Sequence, residues 1–247
     1  GANDLEILRT KRPPGSGGKS SYKLLMAYVG FVLVSALLFY VFPAGALFFF
    51  ILFSAYHFGE QHWVKRMGNS KFLQQLLYTT YGLTILLLLF RAHGVEVAEI
   101  MTEICGFTVP VAFFGWGSAL FFGLFLICLF ANFYWAQFQR YLVREVFLLG
   151  VFFVVFHSAS LLWAFAIYFV VWHSIPSLAD QIRLLYGNLT VQNGLRYVRS
   201  SAVYWIAALA TLALAFLYFR GNDFGFLPLF FSFLAAITFP HVLVITR

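Results

Sequence analysis

The chain has 247 residues, 62% hydrophobic and only 10% charged, with a mean hydropathy of +0.86 and a formal net charge of +7. Soluble domains carry about 25% charged residues, so this composition excludes an ordinary water-soluble domain. Nucleic acid is excluded as a partner as well, because the basic residues sit in short connections between apolar runs, where they report membrane topology.

The chain opens on Gly1 rather than Met, and "GANDLEILRT" lacks the pattern of a signal peptide. The reading therefore expects a processed chain or a fragment. Residues 1–21 read as a cytoplasmic connector, since "KRPPGSGGKSS" combines a helix-stopping Pro pair with Gly and Ser. Eight apolar segments follow, at 22–42, 44–62, 72–90, 108–131, 143–157, 160–178, 201–219 and 226–245. Each approaches the ~20 residues a membrane helix needs. Segments apolar on every side are helices rather than strands, because an open strand edge cannot be satisfied in lipid. The expected fold is a single all-α integral-membrane domain over 1–247, with its helical bundle at 22–247. A further helix before Gly1 would bring eight spans to nine.

Charge supports this order. With the N-terminal tail in the cytoplasm, every one of the 16 basic residues except Arg91 and Arg220 falls on the cytoplasmic side. Glu96, Glu99, Glu103 and Asp223 fall outside, as the positive-inside rule requires. The expected location is the cell (inner) membrane, with both the tail and the C-terminus cytoplasmic. Cys105 and Cys128 have no metal-ligand or redox spacing.

Six histidines occur, and topology sorts them. His93 belongs to the acidic outer loop, where it is expected to be solvated. His157 ends the fifth span, capped by Ser158 or water. His62, beside Trp63 and Lys65, reads as interfacial. His57, His173 and His241 each lie in the cytoplasmic half of a different span. Three imidazoles at one depth can share a metal ion, and ionisable groups inside a membrane are functional by default. His57 and His62, five apart, are poorly placed to ligate from one helix face. Pro176 and Pro240 each free a backbone carbonyl that could orient the neighbouring imidazole. None of the acidic residues is expected in mid-span.

Four motifs in order resemble the Brp/Blh family of membrane proteins, which includes β-carotene 15,15'-dioxygenases. They are "GAND" (Gly1 to Asp4), "HFGE" (His57 to Glu60), "FVVWHSIPS" (Phe169 to Ser177) and "FPHVLVI" (Phe239 to Ile245). The resemblance implies histidine-bound ferrous iron that cleaves the central double bond of β-carotene with O2 to give two retinals, in functional company with a rhodopsin. His57 and His173 carry over as iron ligands. The first histidine of the family's HGAxD motif would immediately precede Gly1. Ser177 stands where some members have a second histidine; either His241 supplies that nitrogen or this branch binds iron with fewer ligands. Asp4, Glu60, Gln61 and Ser177 are candidates to support the ligands; no catalytic group beyond the ligands is expected. Two other functions remain open at this point: a bis-histidine haem protein for electron transfer, and a transporter or non-catalytic retinal-related protein.

Overall fold

The computed structural model describes residues 4–10, 19–66, 71–133, 135–219 and 226–245, and among them every regular element is helical. The central stretch of the expected connector (11–18) and residues 220–225 lie outside the described residues. In chain order the helices are α1 Asp4–Thr10, α2 Lys19–Val41, α3 Pro43–Trp63, α4 Lys71–Ala92, α5 Gly94–Cys105, α6 Val111–Asn132, α7 Trp135–Ser158, α8 Leu161–Ile167, α9 Ile175–Tyr186, α10 Val191–Phe219 and α11 Phe226–Ile245. A 3-10 turn, Val64–Arg66, extends α3, and a π-helical segment, Tyr168–Ser174, joins α8 to α9. Pro43 starts α3 at the position where a missing N–H costs nothing. Gly106 and Gly187 close α5 and α9 with φ of 78° and 84°, a left-handed conformation that glycine adopts without penalty.

Five helical stretches are long and apolar enough to cross a membrane: Lys71–Ala92, Val111–Asn132, Gln137–Ser158, Leu161–Tyr186 and Val191–Tyr218. These correspond to the expected segments 72–90, 108–131, 143–157, 160–178 and 201–219; the other three expected spans are not confirmed among the described residues. Among the described residues, α2 and α11 also contain apolar helical stretches, Leu25–Val41 and Pro228–Val242. Helix α3 does not qualify, since its last turns carry His57, Glu60, Gln61 and His62. The acidic segment between α4 and α6 contains a helix of its own, α5, which buries Val97, Ala98, Ile100 and Ile104 and leaves Glu99 and Glu103 exposed.

The chain forms two compact units, one of residues 51–175 and one of residues 1–50 with 176–247. In the 51–175 unit, α4 packs against α6, α7 and α8. Helix α7 turns Glu145, Leu149, Phe152 and Phe156 inward, a stripe at helical spacing. Ala55 and Gly59 of α3 meet Tyr78 and Gly82 of α4 at backbone contact. A Cβ on Gly59 would lie 1.9 Å from the Tyr78 carbonyl oxygen, and one on Gly82 1.9 Å from that of Ala55. Small residues one turn apart let membrane helices approach this closely. In the other unit, α2 pairs with α11, and α1 packs on both.

The π-helical segment has a local cause. Pro176 has no N–H to donate and its ring crowds the carbonyl four residues back. The turn widens, and Ile175 N–H bonds the carbonyl of Val170, five residues back. Bonding at that interval brings residues five apart onto one face. Tyr168 and His173 are accordingly the buried residues of the segment.

Candidate metal centre

His57, near the end of α3, and His173, in the π-helical segment, are both buried within the 51–175 unit. Their ring centroids are 5.1 Å apart, and each offers a ligand nitrogen within 4.8 Å of the other's. Phe58 and Phe169 pack on His173 at 4.7 and 5.1 Å, and Tyr168 packs on Phe58 at 5.5 Å, so aromatic rings wall the pair.

Gln61 decides the state of His173. Its Nε2 donates to the His173 backbone carbonyl at 2.9 Å, and its Oε1 lies 2.5 Å from His173 Nδ1. A carbonyl cannot donate, so the amide nitrogen must face the backbone and the amide oxygen must face the ring. Nδ1 therefore carries the proton, and Nε2 carries the lone pair. This is the neutral tautomer that metal-binding histidines adopt when a neighbour holds the other nitrogen. The donor set fits a divalent first-row metal such as ferrous iron, for which imidazole nitrogen is a suitable ligand.

His241 belongs to the other unit, where it has an equivalent arrangement of its own. Its Nδ1 is 2.9 Å from Oδ1 of buried Asp4, and Tyr28 O–H donates to Asp4 Oδ2 at 2.9 Å. A carboxylate accepts, so Nδ1–H donates and Nε2 again keeps the lone pair. The expectation that proline-freed carbonyls orient these imidazoles is corrected in both cases: the second nitrogen is held by a side chain, Gln61 or Asp4, whose reach does not depend on a broken helix bond.

The remaining candidates divide. Glu60 is buried on α3, close enough to Tyr56 and Tyr78 for their charges to interact. Ser177 lies in the other unit, where its hydroxyl accepts from Gln181 Nε2 at 3.1 Å, and Gln181 in turn accepts from Tyr197 O–H at 2.6 Å.

The structure adds to the expectations about the other polar groups. His93, the residue that precedes α5, is half-buried rather than solvated, and its Nε2 is covered without a hydrogen-bond partner among the described residues. His157 is exposed, and its Nδ1 bonds the carbonyl of Phe153, one turn back on its own helix, at 2.8 Å. His62 is not simply interfacial, and a carboxylate does lie within a candidate span. Glu145, on 137–158, is fully buried and accepts from His62 Nε2 at 3.0 Å, from Tyr81 O–H at 2.9 Å, and from Arg144. Its place in the buried stripe with Leu149, Phe152 and Phe156 was the available signal, a charged residue in apolar register. The carboxylate is matched by donors inside the chain, unlike an exchangeable transport group. His57 and His62 thus face different sites, as their five-residue spacing on an α-helix requires. Burial pushes the Cys105 thiol above its ordinary value, which leaves it protonated and a poor ligand.

The family model for beta-carotene 15,15'-dioxygenase matches residues 1–247. The chain belongs to that family. No curated protein and no solved structure matches it. As a member of the beta-carotene 15,15'-dioxygenase family, it has buried imidazoles on two separate segments in its motif regions, and aromatic walls of the kind a carotenoid polyene packs against.

Proposed function

We propose that this protein is an iron(II) oxygenase that cleaves the central double bond of β-carotene with O2, giving two molecules of all-trans-retinal. The observation that carries the reading is the Gln61–His173 pair beside His57: a buried imidazole locked in its ligating tautomer, next to a second imidazole, in a chain of this family. In this reading His57 and His173 hold the metal. His241 is the third ligand, on the strength of its depth in the sequence and of the Asp4 contact that sets its tautomer.

Ferrous iron, when bound, supplies the open-shell centre that lets triplet O2 react with a closed-shell alkene. The chain's own residues do the rest. Gln61 keeps the proton on Nδ1 of His173, so the ring enters neutral and correctly turned. Phe58, Phe169 and Tyr168 supply apolar surface that excludes water and grips a polyene by area rather than by hydrogen bonds. The same rings argue against a haem on His57 and His173, since a porphyrin would have to displace the aromatic packing at 4.7–5.1 Å around His173.

The test is expression of the full-length gene in a β-carotene-accumulating host. The expected result is loss of orange colour and retinal in the extract; persistent colour without retinal sinks the reading. His57→Ala and His173→Ala are expected to abolish both retinal formation and bound iron, with His157→Ala leaving both intact. His241→Ala is expected to behave like the first two. Near-stoichiometric iron and normal turnover in His241→Ala would remove it from the site, whereas recovery of iron on adding Ser177→His would support an exchange of ligand between the two positions.

A further inference from the structure

The Glu145 cluster lies outside the metal centre, and the proposed reaction does not use it. Tyr81 is 2% exposed, and its O–H donates to Oε2 of Glu145 at 2.9 Å. The other oxygen, Oε1, takes His62 and Arg144, which leaves Oε2 aimed at the phenol. His62 stacks on Tyr81 at 4.7 Å with 25° between the rings. On α3, His62 stands five residues, roughly 7.5 Å of helix rise, beyond His57. A buried phenol with its own base therefore sits close to a site read as handling O2.

We propose that Tyr81 and Glu145 form a redox-active tyrosine with a built-in proton acceptor, a one-electron sink beside the metal centre. The role rests on the oxygenase reading for its oxidant, a metal-centred one-electron oxidant arising when O2 is activated without carotenoid. One electron leaves Tyr81 for that oxidant, which is reduced by one. The phenolic proton crosses to Oε2 of Glu145. The O–H bond of Tyr81 breaks, a carboxylic O–H bond forms, and the products are a neutral phenoxyl radical and a neutral acid. A small-molecule reductant such as a thiol returns the electron, and Glu145 returns the proton.

The surroundings direct the hole to Tyr81. Among the described residues whose rings pack on Tyr81, Trp63 is a competing oxidisable side chain, with its ring 5.8 Å away. Its indole N–H is buried with no partner among the described residues, so an oxidised Trp63 has nowhere to place its proton. The guanidiniums of Arg66 and Arg144 lie 5.5 and 5.9 Å from its ring centroid and oppose a radical cation there. Tyr81 faces the carboxylate instead. Neutralising Glu145 beside Arg144 has its own electrostatic cost, so the pair yields an electron to a strong oxidant and not to a resting ferrous ion.

The experiment uses full-length protein in lipid nanodiscs, first without iron. A flash-quench ruthenium polypyridyl oxidant generates radicals, read by electron paramagnetic resonance. The expected result is a long-lived tyrosyl signal that is largely lost in Tyr81→Phe, survives in Tyr141→Phe, and falls in yield in Glu145→Gln, which keeps an acceptor oxygen but cannot take the proton. An undiminished signal in Tyr81→Phe, or no long-lived signal in the wild type, overturns the proposal. Should Tyr81→Phe fail to fold, an unchanged yield in Glu145→Gln overturns it equally. A second arm incubates iron-loaded protein in air before β-carotene is added. Tyr81→Phe is expected to match wild-type iron content and initial rate and then to inactivate several-fold faster; equal inactivation overturns the protective role. A wild type that binds no iron sinks the oxygenase reading, while the flash-quench arm still decides the tyrosine.

Discussion

Helices α4 and α10 both have the length and composition of a membrane span, yet 61% of the apolar window of α4 is buried and only 6% of that of α10. The more apolar of the two is the more exposed. In water the opposite would hold. In lipid, apolar surface gains nothing by turning inward, and helices associate through close packing and internal hydrogen bonds. Helix α4 is built for that, with Gly82 at backbone contact, Thr80 and Thr84 bonding carbonyls one turn back on their own helix, and Tyr81 reaching Glu145. Helix α10 presents Val203, Ile206, Leu209 and Leu214 outward, a surface suited to acyl chains.

The harshest way to break this contrast is Gly82→Leu. Its Cβ would lie 1.9 Å from the Ala55 carbonyl oxygen, a backbone atom that cannot step aside. The cost is expected to exceed the usual overpacking range of about 1–3 kcal/mol, seen as loss of monodisperse protein on detergent extraction. Glu145→Ala comes next. Breaking a buried charge pair costs about 3–5 kcal/mol, and the low end is expected because Arg144 is 38% exposed and can turn to water. Denaturation in mixed micelles measures it. Gln61→Leu removes both the bond that sets the tautomer of His173 and the bond to its backbone carbonyl, so the expected effect is about 10–100-fold weaker iron binding with a stability loss of only about 1 kcal/mol. A lowered midpoint with unchanged iron affinity would assign Gln61 to packing alone. Leu209→Ala on α10 is the smallest change, expected within about 0.5 kcal/mol. A loss beyond 2 kcal/mol would mean that α10 has a packed partner in the membrane.

Much of the site region was legible from motif residues. "HFGE" and "WHS" singled out His57 and His173 before their rings were known to be 5.1 Å apart, and Gln61 and Asp4 were candidates as polar residues in or beside the motifs, whereas the group on the second nitrogen was expected from proline-freed carbonyls. Glu145 was missed because a carboxylate inside an apolar run looks costly until its donors are known, and two of those donors, His62 and Tyr81, come from other helices. Three of the expected spans were not confirmed, and α3 is one of them because the composition of its last turns, with His57, Glu60, Gln61 and His62, lowers its hydropathy.

From the sequence alone follow the all-helical class and the apolar character of the long segments, because a chain with so few charges must satisfy its backbone within each helix. The motif histidines and the family follow from it too, since those depend on residue identity and order. The tertiary structure alone decided the tautomer of His173, which depends on an amide 112 residues away. It alone placed Tyr168 and His173 on one face, because that needs a π-helical turn outside the 3.6-residue period. And it alone separated α4 from α10, since in lipid burial is set by which backbones can approach, a property of pairs of helices that no single segment carries.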